Sequence, residues 1–248
     1  MLSQNGLRRF GVRNLVPSAI KWKVKISHIY ILKFFFTELL QLKRRKDFSQ
    51  FGEQTIIENF FKGQQGTFVD IGAGRPITGS NTYFIYRQGW NGITVDPLQT
   101  NYILHRLFRR RDKAVKAIIG SPGNKIFYQF EPYEYSTFVK DVAESVQRRY
   151  GSEVKLVKEI TLESLPLSAV LESLLPDKNL DLLCIDTEGS DLEILQSNDW
   201  SRFRPKLIVV EDFNENSHSH GQLTSFLKEK QYLYLKKVGL SYFFVRQN

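Results

Sequence analysis

Six carboxylates are placed along this sequence where chemistry can use them. Asp70 closes the apolar run TFVD, Asp96 closes GITVD, Asp186 closes LDLLCID, and Glu211 with Asp212 closes KLIVVED. Glu188 follows Asp186 by two positions, in IDTEGSD. The runs are short, apolar and rich in β-formers, so each acid is expected at the C-terminal end of a buried strand. Open α/β sheets bind their ligands beyond those ends. A carboxylate there either accepts hydrogen bonds from ligand hydroxyls or takes a proton from a reacting group.

The turn after Asp70 narrows the ligand. It reads DIGAGRPITGSN, with Gly72 and Gly74 around Ala73. A dinucleotide fingerprint needs a third glycine, and Ile77 stands there instead. No glycine–lysine–serine or –threonine run follows, so the turn is not a phosphate P-loop. What remains is acid-x-Gly-x-Gly, in which glycines let the backbone approach a ligand closely. A helix start at Ser80–Asn81 offers N–H groups to a carboxylate. This suits the amino-acid half of S-adenosylmethionine, while Asp96 at the second strand end suits its ribose hydroxyls. Pro97 after Asp96, and Ser121 after the third strand, complete the expected cofactor contacts.

These residues need a scaffold, and the sequence supplies an alternating one. Strands are expected at TFVDI, GITVD and AVKAIIG, with helices at NTYFIYRQ (Asn81 as N-cap) and NYILHRLFRR between them. LDLLCID and KLIVVED are further buried strands, separated by the helix DLEILQSNDW. GQLTSFLKEK reads as a helix, and YLYLKKVGLSYFFVRQ as two strands turning near Gly239. The alternation implies a Rossmann-like α/β fold, a parallel sheet with helices on both faces and a C-terminal antiparallel hairpin. The section from Ser121 to Ser168 is less regular. KIFYQF and KLVKEIT read as strands, FVKDVAESVQRRY as a helix and LESLPLSAVLESLL as mostly helical. Its length marks it as part of a substrate site.

Charge divides the chain in two. Residues 1–46 hold eleven basic side chains and one acid, Glu38, whereas residues 47–248 are nearly neutral. The net charge of +9 therefore belongs to an N-terminal arm, and the pI does not call for nucleic-acid binding by the body, residues 47–248. Within the arm, ISHIYILKFFFTELLQLKRRK is apolar, but Lys33 and Glu38 interrupt it before it reaches a bilayer-spanning length. Two expectations follow: a helix lying on an anionic membrane surface, or a helix packed on protein. The residues before Pro17 read as a disordered basic tail. The single cysteine, Cys184, lies inside an apolar strand and is expected to be a buried hydrophobe. One cysteine excludes an intrachain disulfide and fits a reducing, cytoplasmic setting, with peripheral membrane contact through the arm.

The stretches FSQFGEQTIIENFF, GTFVDIGAGRP, SNTYF and GWNGITVDP, then KEITLESL and IDTEGSDLEIL, together resemble the FkbM-type methyltransferases. The resemblance runs from about Phe48 to Asn248 and is most specific in IDTEGSDLEIL. It implies a seven-stranded sheet with an antiparallel last strand, S-adenosylmethionine as cofactor, and methylation of hydroxyls on sugars or other small metabolites. It gives cofactor roles to Asp70, Gly72, Gly74 and Asp96, and makes Gln50, Glu53 and Ser136 neighbours of the site. The RPITGS extension departs from the family pattern and is expected to reshape the pocket.

An alcohol is a poor nucleophile until it loses its proton, so methyl transfer to it needs a base or a metal. Asp186 or Glu188 is the expected base, with Glu211 in support. The bland alternative has Glu188 capping the next helix or pairing with the Arg75 loop. The three acids are also a candidate oxygen set for magnesium or calcium. His218 and His220 read as a polar loop before a helix, and His105 as a surface or partly packed residue. EPYEY, with one proline and the wrong position, does not make the chain an amino methyltransferase. The leading expectation is an O-methyltransferase acting on a glycan, glycolipid or other metabolite. The alternatives are a non-catalytic binding module of the same fold and an RNA methyltransferase using the basic arm.

Overall fold

The computed structural model describes residues 27–44, 47–175, 179–211 and 218–247. The expected basic tail before Pro17, Asp212, and the side chains of His218 and His220 lie outside the described residues. The central sheet has seven strands in the order β3-β2-β1-β7-β8-β10-β9. They are β1 (Thr67–Ile71), β2 (Asn91–Val95), β3 (Lys113–Val115), β7 (Leu182–Ile185), β8 (Leu207–Glu211), β9 (Tyr232–Val238) and β10 (Ser241–Arg246). β10 runs antiparallel to both its neighbours, and the other pairs are parallel. This is the Rossmann-like arrangement with a terminal hairpin that the alternation predicted.

The central strands β1, β7 and β8 are apolar on both faces because both faces are covered. Val69, Ile71, Leu183, Ile185, Ile208 and Val210 point to one core. It is closed by α6 (Leu167–Leu174), α7 (Asp191–Gln196) and α8 (His218–Glu229). Phe68, Leu182, Cys184, Leu207 and Val209 point to the other, packed by α2 (Glu53–Phe61) and α3 (Tyr83–Arg87). Cys184 is buried and free, as its apolar neighbours implied.

Two readings of the middle section need correction. AVKAIIG is not one strand: β3 ends at Val115, and β4 (Ile118–Ile119) joins a second sheet. That sheet has the order β4-β6-β5, with β5 (Gly123–Glu131) antiparallel to β6 (Lys155–Leu165). LESL is consequently the end of β6, and the helix α6 begins only after Pro166, whose fixed φ suits a helix start. Between β5 and β6 lies α5 (Lys140–Tyr150), the expected helix.

Two helices complete the scaffold of the site. α4 (Gln99–Phe108) follows β2, and α1 (Ser27–Arg44) packs across it, with the rings of Phe35 and Phe108 5.1 Å apart. The arm's apolar segment thus forms a helix lying on the body.

Candidate active site

The strand ends open into a cleft of about 640 Å³. Gly72, Ala73, Gly74, Asp96 and Pro97 line it, as do Asp186, Glu188 and Glu211. The volume lies in the range of sites for ligands of nucleoside size. Gln50 and Ser136 line it too, while Ala117, Ile118, Ile119 and Phe127 form an apolar wall.

The glycine turn is stitched to its neighbours. Gly72 and Ala73 donate their N–H groups to the Val95 carbonyl, and Asp186 donates its own to Ile71. Gly72 has φ 75°, and a Cβ there would stand 1.7 Å from the Asp186 carbonyl oxygen. Only glycine lets β1 and β7 come this close at their ends. Gly74, at φ 55°, is less crowded: a Cβ there would touch the Tyr133 hydroxyl at an ordinary 3.8 Å, so its left-handed backbone, not a clash, is what favours glycine.

Asp96 holds the far side of the turn. Its Oδ2 accepts from the Gly74 N–H at 3.0 Å and from Asn101 Nδ2 at 3.0 Å, and its Oδ1 accepts from the Leu98 N–H at 2.7 Å. Burial pushes its carboxyl up to about 7, against the three donors that favour ionisation. His105, one turn beyond Asn101 on α4, donates from Nε2 to the Gly74 carbonyl at 3.2 Å. It is fully buried, and burial, helped by the nearby Arg109 charge, lowers its pKa to about 3. The expectation of a surface or partly packed histidine is corrected: it is a neutral strut for the glycine turn.

Several predicted contact residues stand behind the lining rather than in it. Asp70 turns away from the cleft, and its Oδ2 accepts from Thr82 Oγ1 at 2.5 Å, next to the buried Arg109. Ser80 Oγ accepts from the N–H groups of Thr82 and Tyr83, so the helix start is satisfied from within. Asn81 neither caps α3, whose N-cap is Thr82, nor lines the cleft. The RPITGS segment puts Arg75, Thr78 and Gly79 on the lining instead. Ser121 is exposed, and its N–H is spent on Glu193 Oε1 at 2.7 Å. Glu53 is buried beneath the floor, accepting from the Phe51 N–H at 2.8 Å and from Ser241 Oγ at 3.1 Å.

The acids at the ends of β7 and β8 do come together. One carboxylate oxygen from each of Asp186, Glu188 and Glu211 lies within 4.8 Å of the others. Burial is the main cause that raises all three pKa values. The Asp186 and Glu211 carboxyls hydrogen-bond each other and share a proton, burial and their mutual repulsion raising Asp186 well above the ordinary range. Glu188 is pushed up to about 9, with the nearby Asp186 and Asp191 charges adding to burial. Its backbone is left-handed, φ 53°, a conformation that costs a non-glycine residue and that Lys62 and Gln231 share at turns outside the cleft. The Glu188 carbonyl accepts from Thr137 Oγ1 at 3.1 Å, tying this turn to the irregular segment. Neither bland role for the Glu188 side chain is seen, since α7 has no side-chain cap bond and Arg75 pairs elsewhere. The same oxygens are the donor type that magnesium or calcium takes, and at neutral pH a metal would have to displace the protons this cluster retains.

The irregular section does reach the site, with residues 132–138 on the lining and Ser136 among them, but sequence reasoning missed Tyr133 of EPYEY and Glu38. Burial raises the Tyr133 hydroxyl pKa, and its oxygen accepts from Arg75 Nε at 3.1 Å. Glu38 of α1 is fully buried and accepts at Oε2 from the N–H groups of Ile77 at 2.9 Å and Thr78 at 3.0 Å. The arm thus supports the cleft's unusual loop.

Among solved structures, the chain is similar to a TehB-like S-adenosylmethionine-dependent methyltransferase of Corynebacterium glutamicum. Identity is 10%, TM-score 0.45, with 90% of this chain and 100% of that one covered. An O-methyltransferase of Bacillus cereus in complex with S-adenosylhomocysteine gives 12% and 0.38, covering 98% and 90%. A didemethyltoxoflavin N1-methyltransferase of Burkholderia thailandensis gives 12% and 0.40, covering 93% and 92%. No curated protein matches the sequence. The model of the methyltransferase FkbM domain matches residues 70–234, about two thirds of the chain, and on that match the chain belongs to the FkbM methyltransferase family.

Proposed function

We propose that this enzyme uses S-adenosylmethionine to methylate a hydroxyl group on a glycan, glycolipid or other small metabolite. The observation that carries the reading is the meeting, in one cleft, of the Gly72–Gly74 cradle, the Asp96 carboxylate and the acid cluster. The residues fit the cofactor: Gly72 and Gly74 bring bare backbone to the lining, Asp96 has an oxygen for ribose hydroxyls, and the wall of Ile118, Ile119 and Phe127 suits an adenine. When bound, the cofactor supplies an activated methyl group on a cationic sulfur. Asp96, Gly72 and Gly74 orient it, and positioning provides much of the rate.

The acids handle the proton. Glu188 removes it from the acceptor hydroxyl, and the Asp186–Glu211 pair, already sharing a proton, keeps local negative charge low. Glu188 is held protonated by burial, and a cation bound in the cleft would favour its ionised, basic form. Residues 132–138, with Tyr133 at their head, form the wall an acceptor would meet. Adding S-adenosylhomocysteine should raise the melting temperature. Incubation with labelled methyl donor and hydroxylated extracts should then yield base-stable methyl ethers. A missing thermal shift would overturn the cofactor assignment, and base-labile methyl esters would overturn the hydroxyl acceptor.

A further inference from the structure

We propose that helix α1 docks the enzyme on an anionic membrane surface. The observation lies on its outer face. Leu32, Phe36, Leu39 and Leu40 are each between 44% and 58% exposed. Their spacing of four, three and one places them on one stripe of the helix. The opposite face is spoken for: Phe35 packs on Phe108, Phe34 meets Tyr133, and Glu38 is sealed against the Ile77 and Thr78 amides. The helix's one acid is therefore turned inward and fully buried, so it does not oppose a negative surface.

The charge around the stripe selects the occupant. Lys33 is exposed on the helix, and Lys43, Arg44, Arg45 and Lys46 follow the stripe in sequence. The preceding 26 residues add six basic side chains and no acid. Apolar side chains at helical spacing beside basic ones describe a helix that lies in the interface, its apolar face in the acyl boundary and its cations among anionic headgroups. No described helix is long and apolar enough to cross a bilayer, so the contact is with the surface. A second copy of this chain fits worse, because a two-fold interface would set one basic arm against the other. RNA fits worse as well, since phosphates would engage the cations and leave the leucines and Phe36 in water.

The placement has a consequence for the site. The inner face of the same helix holds Arg75, whose guanidinium lies 5.6 Å from the Phe34 ring and 5.9 Å from the Tyr133 ring. Arg75, Thr78 and Tyr133 line the cleft. A docked enzyme would thus carry one wall of its cleft about one helix diameter, roughly 10 Å, from the lipid surface. On the methyltransferase reading, that favours an acceptor borne on lipid.

The test uses the full chain and vesicles of phosphatidylcholine, with and without phosphatidylserine. Wild-type protein should sediment with the anionic vesicles and stay in solution with the neutral ones. Phe36→Ser/Leu40→Ser should lower partitioning about tenfold or more, with unchanged melting temperature and an unchanged shift on adding S-adenosylhomocysteine, because both residues are exposed. Wild-type protein that ignores anionic vesicles overturns the proposal, as does a double variant that sediments like wild type. A wild-type dimer in light scattering that becomes a monomer in the double variant also overturns it, and assigns the stripe to a subunit interface. Loss of vesicle binding with the cofactor shift intact separates this surface from the active-site reading.

Discussion

Gly72 and Asp186, 114 positions apart in sequence, touch through their backbones at the floor of the cleft. A Cβ on Gly72 would lie 1.7 Å from the Asp186 carbonyl oxygen, and φ at Gly72 is 75°. Gly72→Ala thus adds left-handed strain to a clash with the Asp186 backbone. Each effect costs about 1–3 kcal/mol. The melting temperature should fall by about 5–15 °C, with loss of S-adenosylhomocysteine binding. A variant that melts like wild type would show that the strand ends are further apart than described.

Asp96 carries a second prediction. Its carboxylate accepts from two backbone amides and from Asn101, and Asp96→Ala removes both the turn's clasp and the proposed ribose acceptor. Affinity for S-adenosylhomocysteine should drop about 10- to 100-fold, the worth of hydrogen bonds to a charged group. Asn101→Ala keeps the acceptor and loses one donor, so its effect on affinity should be smaller. Calorimetric titration of the two variants compares them, and equal losses would remove Asp96 from direct contact with the cofactor.

The strand ends were legible in the sequence because parallel strands buried on both faces read as unbroken apolar runs, as in TFVDI and LLCI. Ala117 and Leu162 show where that legibility ends. AVKAIIG carries one apolar run, but β4 leaves the main sheet to pair with β6, and pairing partners leave no mark in a local window. LESL continues into a helical run, and only its partner β5 makes it a strand. Glu38 was visible as an acid inside an apolar helix, yet its partners are backbone amides some forty residues away, which no residue type announces. His105 was hidden for the same reason, its partner being the Gly74 carbonyl.

The buried acids predict how pH acts on the cofactor-free protein. Burial raises Asp96 to about 7, Asp191 to about 8 and Glu188 to about 9. In the unfolded chain these groups ionise near their ordinary values of about 4. Between those limits the native state holds more protons than the unfolded one, so stability is highest at acid pH and is lost as pH rises through the folded values. Melting temperature should decline from about pH 5 to about pH 9. Glu188→Gln should flatten the alkaline part of that decline, and an unchanged slope would mean Glu188 is solvated in the native state.

Glu188 as base predicts a rate profile with the opposite sign. The free enzyme needs Glu188 ionised, so kcat/KM should rise about tenfold per pH unit at neutral pH and level off near pH 9. Glu188→Gln should lower kcat by about 10²- to 10⁴-fold with a smaller effect on cofactor affinity. Because the cluster retains protons at neutral pH, chelators should leave the rate unchanged there. Activity lost to EDTA and restored by magnesium would instead make Asp186, Glu188 and Glu211 ligands, with a metal acidifying the acceptor.

The last prediction concerns Glu38, through which the arm meets the chemistry. Its Oε2 satisfies the Ile77 and Thr78 amides, and Oε1 stands 3.8 Å from Arg75 Nη1. Glu38→Ala leaves two amides without their acceptor, and that of the fully buried Ile77 costs about 1–3 kcal/mol. The strain falls on the RPITGS loop, which supplies Arg75, Thr78 and Gly79 to the cleft. KM for the methyl donor should therefore rise more than kcat falls. Glu38→Gln keeps a neutral acceptor for the amides but loses the charge facing Arg75, so it should recover most of the stability and part of the KM. An alanine variant with wild-type KM and reduced stability would make Glu38 a packing residue alone. If it matches wild type in both, α1 is not coupled to the loop at all.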